Sequence, residues 1–454
     1  MTRHEARPVV MMYCVFVCAT TVLAAGTVTS AQTQTKDDPS QLLDVGLSVV
    51  GGYDSDAAQA SVSSGFGELQ PAGYSAFGVG SLNYIRQFTQ AQLQTTASST
   101  MRYLPDFHEV HSVVHTGAVS VGASLPSRFQ LRLRGALAYS PSYLYGLFPA
   151  LPSTSDQEPI VDYSDPYDVD QSSSYSATSS VTLERRMSRR TRVSVVGSFN
   201  HTDFSNDTTA DSLNNSGIRD LTVYSLGGRF HRNVTRNNVV SFGYNYRTGT
   251  FGYVQTTAEH SVDFSVDGSR QLSASRRLSF GLRVGASLVE VPDVIEVFDV
   301  GPSQYRLNAD ASVTYPIADI GALRGSYRRG LQYVGGLTRP VFADGFSGEF
   351  NGLVLQRIGL LVRVSRATGQ SLVPRDDLLD MTGDNLLDTY TGQLRVSYRV
   401  TRDLNSYVEY LHYMYDTRGQ LVAPQIPLAP GLPPDLNRQA IHVGLLWQVP
   451  VLRK

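Results

Sequence analysis

From Phe129 to Tyr139 the chain reads FQLRLRGALAY, with Phe129, Leu131, Leu133, Leu137 and Tyr139 apolar and Gln130, Arg132 and Arg134 set between them. Side chains of a strand point alternately to its two faces, so this segment has one apolar face and one cationic face. The same period of two returns in VVSFGYNY (Val239 to Tyr246), LSFGLRVGASL (Leu278 to Leu288) and YRLNADASVTY (Tyr305 to Tyr315). A helix repeats every 3.6 residues and keeps no such pattern, so the chain is expected to be all-β.

The connections fall into two alternating kinds. Tight ones are predicted at Thr89-Gln90, Pro126 to Arg128, Ser188 to Arg190, Val234 to Asn237, Ser273 to Arg276, Pro316 to Asp319, Leu355 to Arg357 and Thr401 to Leu404. Longer, wetter ones are predicted over 54–72, 104–110, 140–172, 205–218, 249–256, 290–302, 335–343, 368–388 and 417–436. Eighteen strands result: 43–53, 74–88, 91–103, 111–125, 129–139, 173–187, 191–203, 219–233, 238–249, 257–272, 277–289, 303–315, 320–334, 344–354, 358–367, 389–400, 405–416 and 437–449. Phe346 to Arg366 reads as two short strands or one bent long one, and sixteen is the alternative count. A hairpin unit of about 40 residues also suits a propeller blade, but a blade divides its residues among four short strands. These strands match the ~9–11 residues that cross a tilted bilayer. Short turns on one rim and long loops on the other belong to an antiparallel up-and-down transmembrane β-barrel, turns periplasmic and loops extracellular.

Arg3 and Arg7 precede an apolar run from Val9 to Ala25, followed by the small-residue site Thr29-Ser30-Ala31 ahead of Gln32. This is the form of an export signal cleaved near Ala31. The expected layout is signal 1–31, periplasmic segment 32–42 and barrel 43–454. Both cysteines, Cys14 and Cys18, lie in that signal, which leaves the mature chain without a disulfide, a thiolate metal site or a cysteine nucleophile. No later apolar stretch is long enough to span a bilayer as a helix.

Charged residues make up 17% of the chain, below the roughly 25% usual in soluble domains. Tyr74, Tyr103, Tyr139, Tyr246, Tyr305, Tyr315, Tyr390 and Trp447 fall near predicted strand ends, where a headgroup layer favours amphipathic rings. The parity opposite the apolar set carries Arg132, Arg134, Arg192, Arg247, Arg283, Arg306, Arg324, Arg328, Arg363, Arg395 and Arg399, with Asp263, Asp267 and Asp310 as the clearest acids. An arginine on a lipid face costs about 2–4 kcal/mol at the midplane, so these must face inward as pore-lining residues. They either pair with acids and carbonyls in a packed lumen or form a cationic conduit that favours anions.

Two predicted loops are acidic, through Asp156, Glu158, Asp162, Asp165, Asp168 and Asp170 and through Asp376, Asp377, Asp380, Asp384 and Asp388. At a cell surface such loops are solvated, or bridge through divalent cations to lipopolysaccharide. His108, His111 and His115 straddle a loop and a strand start, a poor spacing for a metal site. No phosphate loop, nucleophile elbow or zinc signature appears. No cofactor or metal is expected, and the chain reads as a non-enzyme. The arginines are spread along a wall with no basic tail, which argues against nucleic acid.

The hairpin turns LPSRFQL (Leu125 to Leu131), MSRRTRV (Met187 to Val193) and VTRDLNS (Val400 to Ser406), with the opening DVGLSVVGGYDSD (Asp44 to Asp56), resemble the β-barrel porins of Gram-negative outer membranes. The resemblance runs over the whole mature chain as a rhythm, without a signature motif. It implies an outer-membrane barrel similar in architecture to polysaccharide export porins, inserted by barrel assembly machinery among outer-membrane lipid and lipopolysaccharide. Its cargo would be anionic solutes or exopolysaccharide, the latter with export machinery as partner. A plugged structural or adhesive barrel is the alternative, and an outer-membrane lipid hydrolase the weaker one. Such barrels usually end on an aromatic residue, whereas here Gln448 to Lys454 follow Trp447.

Overall fold

The computed structural model describes residues 40–55, 73–103, 111–140, 173–205, 220–252, 255–273, 276–290, 303–317, 320–333, 340–371, 387–416 and 435–453. They form one closed antiparallel barrel in which each strand pairs with its neighbours in sequence and β1 pairs with β18. The strands are β1 (Gln41–Asp54), β2 (Gly73–Gln87), β3 (Ala91–Tyr103), β4 (His111–Leu125), β5 (Phe129–Ser140), β6 (Ser173–Arg186), β7 (Thr191–Ser205), β8 (Leu221–Asn233) and β9 (Asn238–Phe251). They continue as β10 (Gln255–Gln271), β11 (Arg277–Glu290), β12 (Ser303–Ile317), β13 (Gly321–Gln332), β14 (Val341–Leu355), β15 (Ile358–Ser371), β16 (Leu387–Arg399), β17 (Leu404–Asp416) and β18 (Asp435–Arg453).

Eighteen strands at ~4.8 Å spacing and ~40° tilt enclose a ring about 35 Å across between backbones, wider than side chains alone fill. The doubtful stretch after Phe346 is two strands, β14 and β15, hinged at Gln356-Arg357. β18 runs further than its periodicity suggested, to Arg453 opposite Leu42. Asp388, expected in a loop, is part of β16. The leader, the remaining acidic loop residues and His108 lie outside the described residues.

One rim holds the tight turns. Three of them use one device: a hydroxyl at the first turn position accepts the amides two and three residues on, competing locally with the ladder. Ser188 Oγ takes Arg190 and Thr191 N–H at 3.2 and 3.1 Å, Thr235 Oγ1 takes Asn237 and Asn238 at 3.2 and 3.0 Å, and Thr401 Oγ1 takes Asp403 and Leu404 at 3.4 and 3.1 Å. The β4–β5 turn instead bends through positive φ at Ser127 (61°) and Arg128 (66°), a geometry whose twist suits the flanking strands. The other end of the barrel is the loop rim.

Outward parity forms a mainly apolar belt around the circumference, with the pairs Arg329–Asp344 and Arg366–Asp388 on the same parity nearer the loop rim. One cross-strand row links Val266, Leu282 and Ala311, and another links Leu47 to Trp447. Leu282 is 50% exposed to its surroundings and Trp447 52%. An apolar surface this continuous marks a membrane-contacting face. The eight strand-end aromatics named above all share outward parity. Trp447 lies opposite Leu404, the first residue of β17, and so stands at the level of the turn rim although the chain runs six residues past it to Arg453.

In one place the alternation misleads. Leu331 of β13 and Phe342 of β14 carry outward parity, yet each is 2% exposed and they pack against Val289, an inward residue of β11. The β12–β13 ladder stops at Ala309 opposite Arg329, while β12 continues to Ser303. At the loop rim the end of the β13–β14 pair therefore tucks inside the barrel, its outward side against the inner face of β11 and β12.

Placing a charge in the apolar row tests the assignment of faces. Leu282→Arg should lower barrel stability by about 2–4 kcal/mol in urea unfolding from lipid vesicles, and Ser312→Arg, on the inward face of neighbouring β12, should cost far less.

Candidate functional site

The register puts Arg132 and Arg134 on the inward face of β5, Arg192 on β7, Arg247 on β9, Arg283 on β11, Arg306 on β12, Arg324 and Arg328 on β13, Arg363 on β15, and Arg395 and Arg399 on β16. Asp263, Asp267 and Asp310 are inward on β10 and β12. That this face is the interior follows from bonds between strands that are not neighbours. Arg229 on β8 reaches Asp263 on β10 at 2.7 Å, and Arg247 on β9 reaches the Leu331 carbonyl on β13 at 2.6 Å. The first bond spans one intervening strand over Gly243, but strands four places apart meet only across the inside of a closed wall.

The inward arginines are organised in cross-strand rows. Arg324, Glu349 and Arg363 are direct register partners on β13, β14 and β15, and the glutamate accepts from Arg324 at 3.1 Å and from Arg363 at 2.8 Å. Asp263, opposite Gly243 and Gly285, is shared by Arg229 from across β9 at 2.7 Å and by its diagonal neighbour Arg283 at 3.6 Å. Asp54 is shared by Arg102 at 3.7 Å and Arg438 at 2.9 Å. Elsewhere the ratio is one to one: Arg328 to Asp310 at 3.2 Å, Arg247 to Glu259 at 2.9 Å and Arg192 to Glu184 at 3.7 Å. Glu409 takes Arg395 at 2.8 Å and Gln393 at 2.7 Å, with His442 at 3.8 Å. Three carboxylates thus each sit between two guanidiniums, and the wall carries a surplus of positive charge.

Sequence parity identified the arginines but undercounted their partners. Glu184, Glu259, Glu349, Glu409 and Asp54 were missed, as were Arg102, Arg229 and Arg438. One signal was available, since Glu349 and Arg363 are equidistant from the Gln356 turn and so must face each other in a hairpin. Lys36 and Lys454 are the only lysines, so the strands draw their permanent cations from arginine alone. Its planar fork grips carboxylate or phosphate with two parallel bonds and stays charged at any working pH.

The interior is lopsided. Along β17, β18, β1 and β2 it is packed: Val50, Phe77 and Tyr407 form a cluster, and the Phe77 ring lies 5.4 Å from that of His442. Asp54, Arg102 and Arg438 are all buried beside it. Opposite, a cavity of about 560 Å³ is lined by Arg229, Arg247, Arg283, Asp263, Asp310 and Arg328, among others. Arg283 and Arg328 are half-exposed there. His115 is outward on β4, its ring 6.2 Å from Tyr139, away from this interior.

No family model matches the chain, and no curated protein matches it. Among solved structures it is similar to Pseudomonas aeruginosa OccK11 (OpdR), at 11% identity over 93% of this chain and 100% of that one, with a TM-score of 0.42. It is similar to Pseudomonas aeruginosa OpdQ at 10% identity, over 91% of this chain and 99% of that one, TM-score 0.44. The closed form of the ferric-catecholate import receptor Fiu of E. coli K12 shares 10% identity over 94% and 84% of the two chains, TM-score 0.41. Likenesses this distant assign neither a cargo nor a residue role.

Removing a shared carboxylate should be costly where it is buried. Asp54→Ala takes the common counter-ion from Arg102 and Arg438 and should destabilise the barrel by about 3–5 kcal/mol in vesicle unfolding, whereas Asp310→Ala, at a half-exposed pair, should cost under about 1 kcal/mol.

Proposed function

We propose that this chain is an outer-membrane conduit of a Gram-negative bacterium that passes anionic solutes through an arginine-lined bore. The observation that carries this reading is the pairing of Glu349, Asp263 and Asp54 each with two arginines. An anion entering the cavity meets Arg229 and Arg283, whose charge their shared Asp263 only half cancels, and low-dielectric walls focus that field. The apolar exterior supports placement in a membrane, and the Arg3 to Ala31 leader supports export to the outer one. In that placement the tight turns and both chain ends face the periplasm, and the loop rim faces lipopolysaccharide. Barrel assembly machinery inserts the chain, and transport needs neither a cofactor nor catalysis.

Acidic exopolysaccharide is the second cargo class. Inward arginines are strung from β5 to β16, so a polymer would engage several at once, where a small ion meets one row at a time. Export machinery would then be the periplasmic partner.

In planar bilayers the barrel should conduct with anions preferred in the reversal potential. Replacing Arg283, Arg328 and Arg363 with Gln should abolish most of that preference, and so should about 1 M salt, where the screening length falls to about 3 Å. A folded barrel that never conducts would favour the structural or adhesive reading. Loss of surface polysaccharide on deletion, with small-solute uptake intact, would favour the polymer.

A further inference from the structure

The tucked end of β13 and β14 is held inside by named contacts. Arg247 donates to the Leu331 carbonyl at 2.6 Å, and the Tyr333 hydroxyl donates to the Thr257 carbonyl at 3.3 Å. The Tyr333 ring stacks on Phe251 at 6.1 Å and lies 4.6 Å beneath the Arg247 guanidinium. It rests on Gly249, where any Cβ would overlap it. Arg306 and Arg329 cover the Phe342 ring at 5.6 and 5.3 Å. β9 and β13 stand four places apart, about 19 Å along the wall at ~4.8 Å per strand. The tucked end therefore projects well into the bore.

The same residues fit a second arrangement. Continuing the β12–β13 register past Ala309 opposite Arg329 sets Asn308 opposite Gly330, Leu307 opposite Leu331, Arg306 opposite Gln332 and Tyr305 opposite Tyr333. Leu331, Tyr333 and Phe342 would then face outward and extend the apolar belt beside Leu307 and Tyr305. Those two are the most exposed large apolar side chains among the described residues, at 70% and 81%. The edge of β12 from Tyr305 to Asn308 would also gain ladder partners that it does not have on that side among the described residues, as a sheet edge in contact with lipid requires. One sequence thus satisfies two seats, with aromatic and arginine contacts in one and backbone pairing in the other.

We propose that the β13–β14 end is a gate that exchanges between the tucked seat, which narrows the bore at the loop rim, and a zipped seat, in which it completes the wall against β12. Zipping withdraws Tyr333 from the bore and releases Arg247 from Leu331 and Arg306 from Phe342, so the open bore is both wider and more cationic. The proposal extends the conduit reading and rests on it only for the effect on flux. Exchange of this kind is a shift between two populated arrangements, and substitutions that weaken one seat move it.

With Cys14 and Cys18 changed to serine the chain is free of thiols, and Leu307→Cys with Leu331→Cys reports the zipped seat. Cross-strand partners have Cα atoms about 4.5–5.5 Å apart, inside the ~4.4–6.8 Å range of a disulfide. In the tucked seat Leu307 points outward while Leu331 is buried inside against Val289. Mild oxidation of the folded barrel should form the disulfide. Tyr333→Ala, which removes a ring stack and a hydrogen bond, should raise its rate about tenfold, and Gly249→Val should act in the same direction. The oxidised barrel should then conduct more per channel than the reduced one. No disulfide in either variant, with both barrels folded, would overturn the proposal, as would a locked barrel that conducts no more than a conducting reduced one. A disulfide in a barrel that never conducts would uphold the two seats and sink the conduit reading instead.

Discussion

Backbone hydrogen bonding dictates this architecture. A sheet with an apolar belt around its outer face cannot leave a row of N–H and C=O groups at an edge in hydrocarbon, where each unmet group costs several kcal/mol. The ladder between β1 and β18 removes the two ends that eighteen strands in series would leave. Closure at that strand number forces a wide interior, and the wide interior is where the charges go. At the seam between β12 and β13 the ladder stops at Ala309, short of the loop-rim end of β12, and the sequence beside it carries a spare register that would extend it.

The interior answers the cost of burying charge in two ways. Beside β18 and β1, Asp54, Arg102 and Arg438 are dry, and their mutual attraction is offset against desolvation, so they fix the closing strands more than they add stability. Across the bore, Arg283, Arg328 and Arg363 keep water on one side and an acid on the other. Their charge is cheap to hold and remains available to a passing anion. One residue type therefore does structural work on one side of the barrel and supplies a field on the other.

Much of this was legible before the structure. The period of two, read with the alternation of short and long connections, is physically close to a full description of an up-and-down barrel, because each hairpin fixes its own register from its turn. Strand bounds moved little, as at β3 (Ala91–Tyr103) and β4 (His111–Leu125), where expectation and observation coincide. Inward arginines were visible because the lipid penalty acts on each of them singly. Their acids were harder to see, since a glutamate is recognised as a partner only once its row is known, as Glu409 is opposite Arg395. The tucked end was invisible for another reason. Leu331, Tyr333 and Phe342 obey the outward pattern in sequence, and only contacts with Arg247, Val289 and Thr257, distant along the chain, reveal that they have been drawn inside.

The central claim is that apolar parity meets acyl chains and polar parity meets an aqueous bore. It is tested most directly by single nitroxide labels placed in turn along β11 from Ser279 to Ala286, in vesicles, read by relaxation with oxygen and with a water-soluble nickel chelate. The account predicts strict alternation, with oxygen dominating at Phe280, Leu282, Val284 and Ala286 and the chelate dominating at Ser279, Gly281, Arg283 and Gly285. Equal access of the chelate to both sets would contradict it.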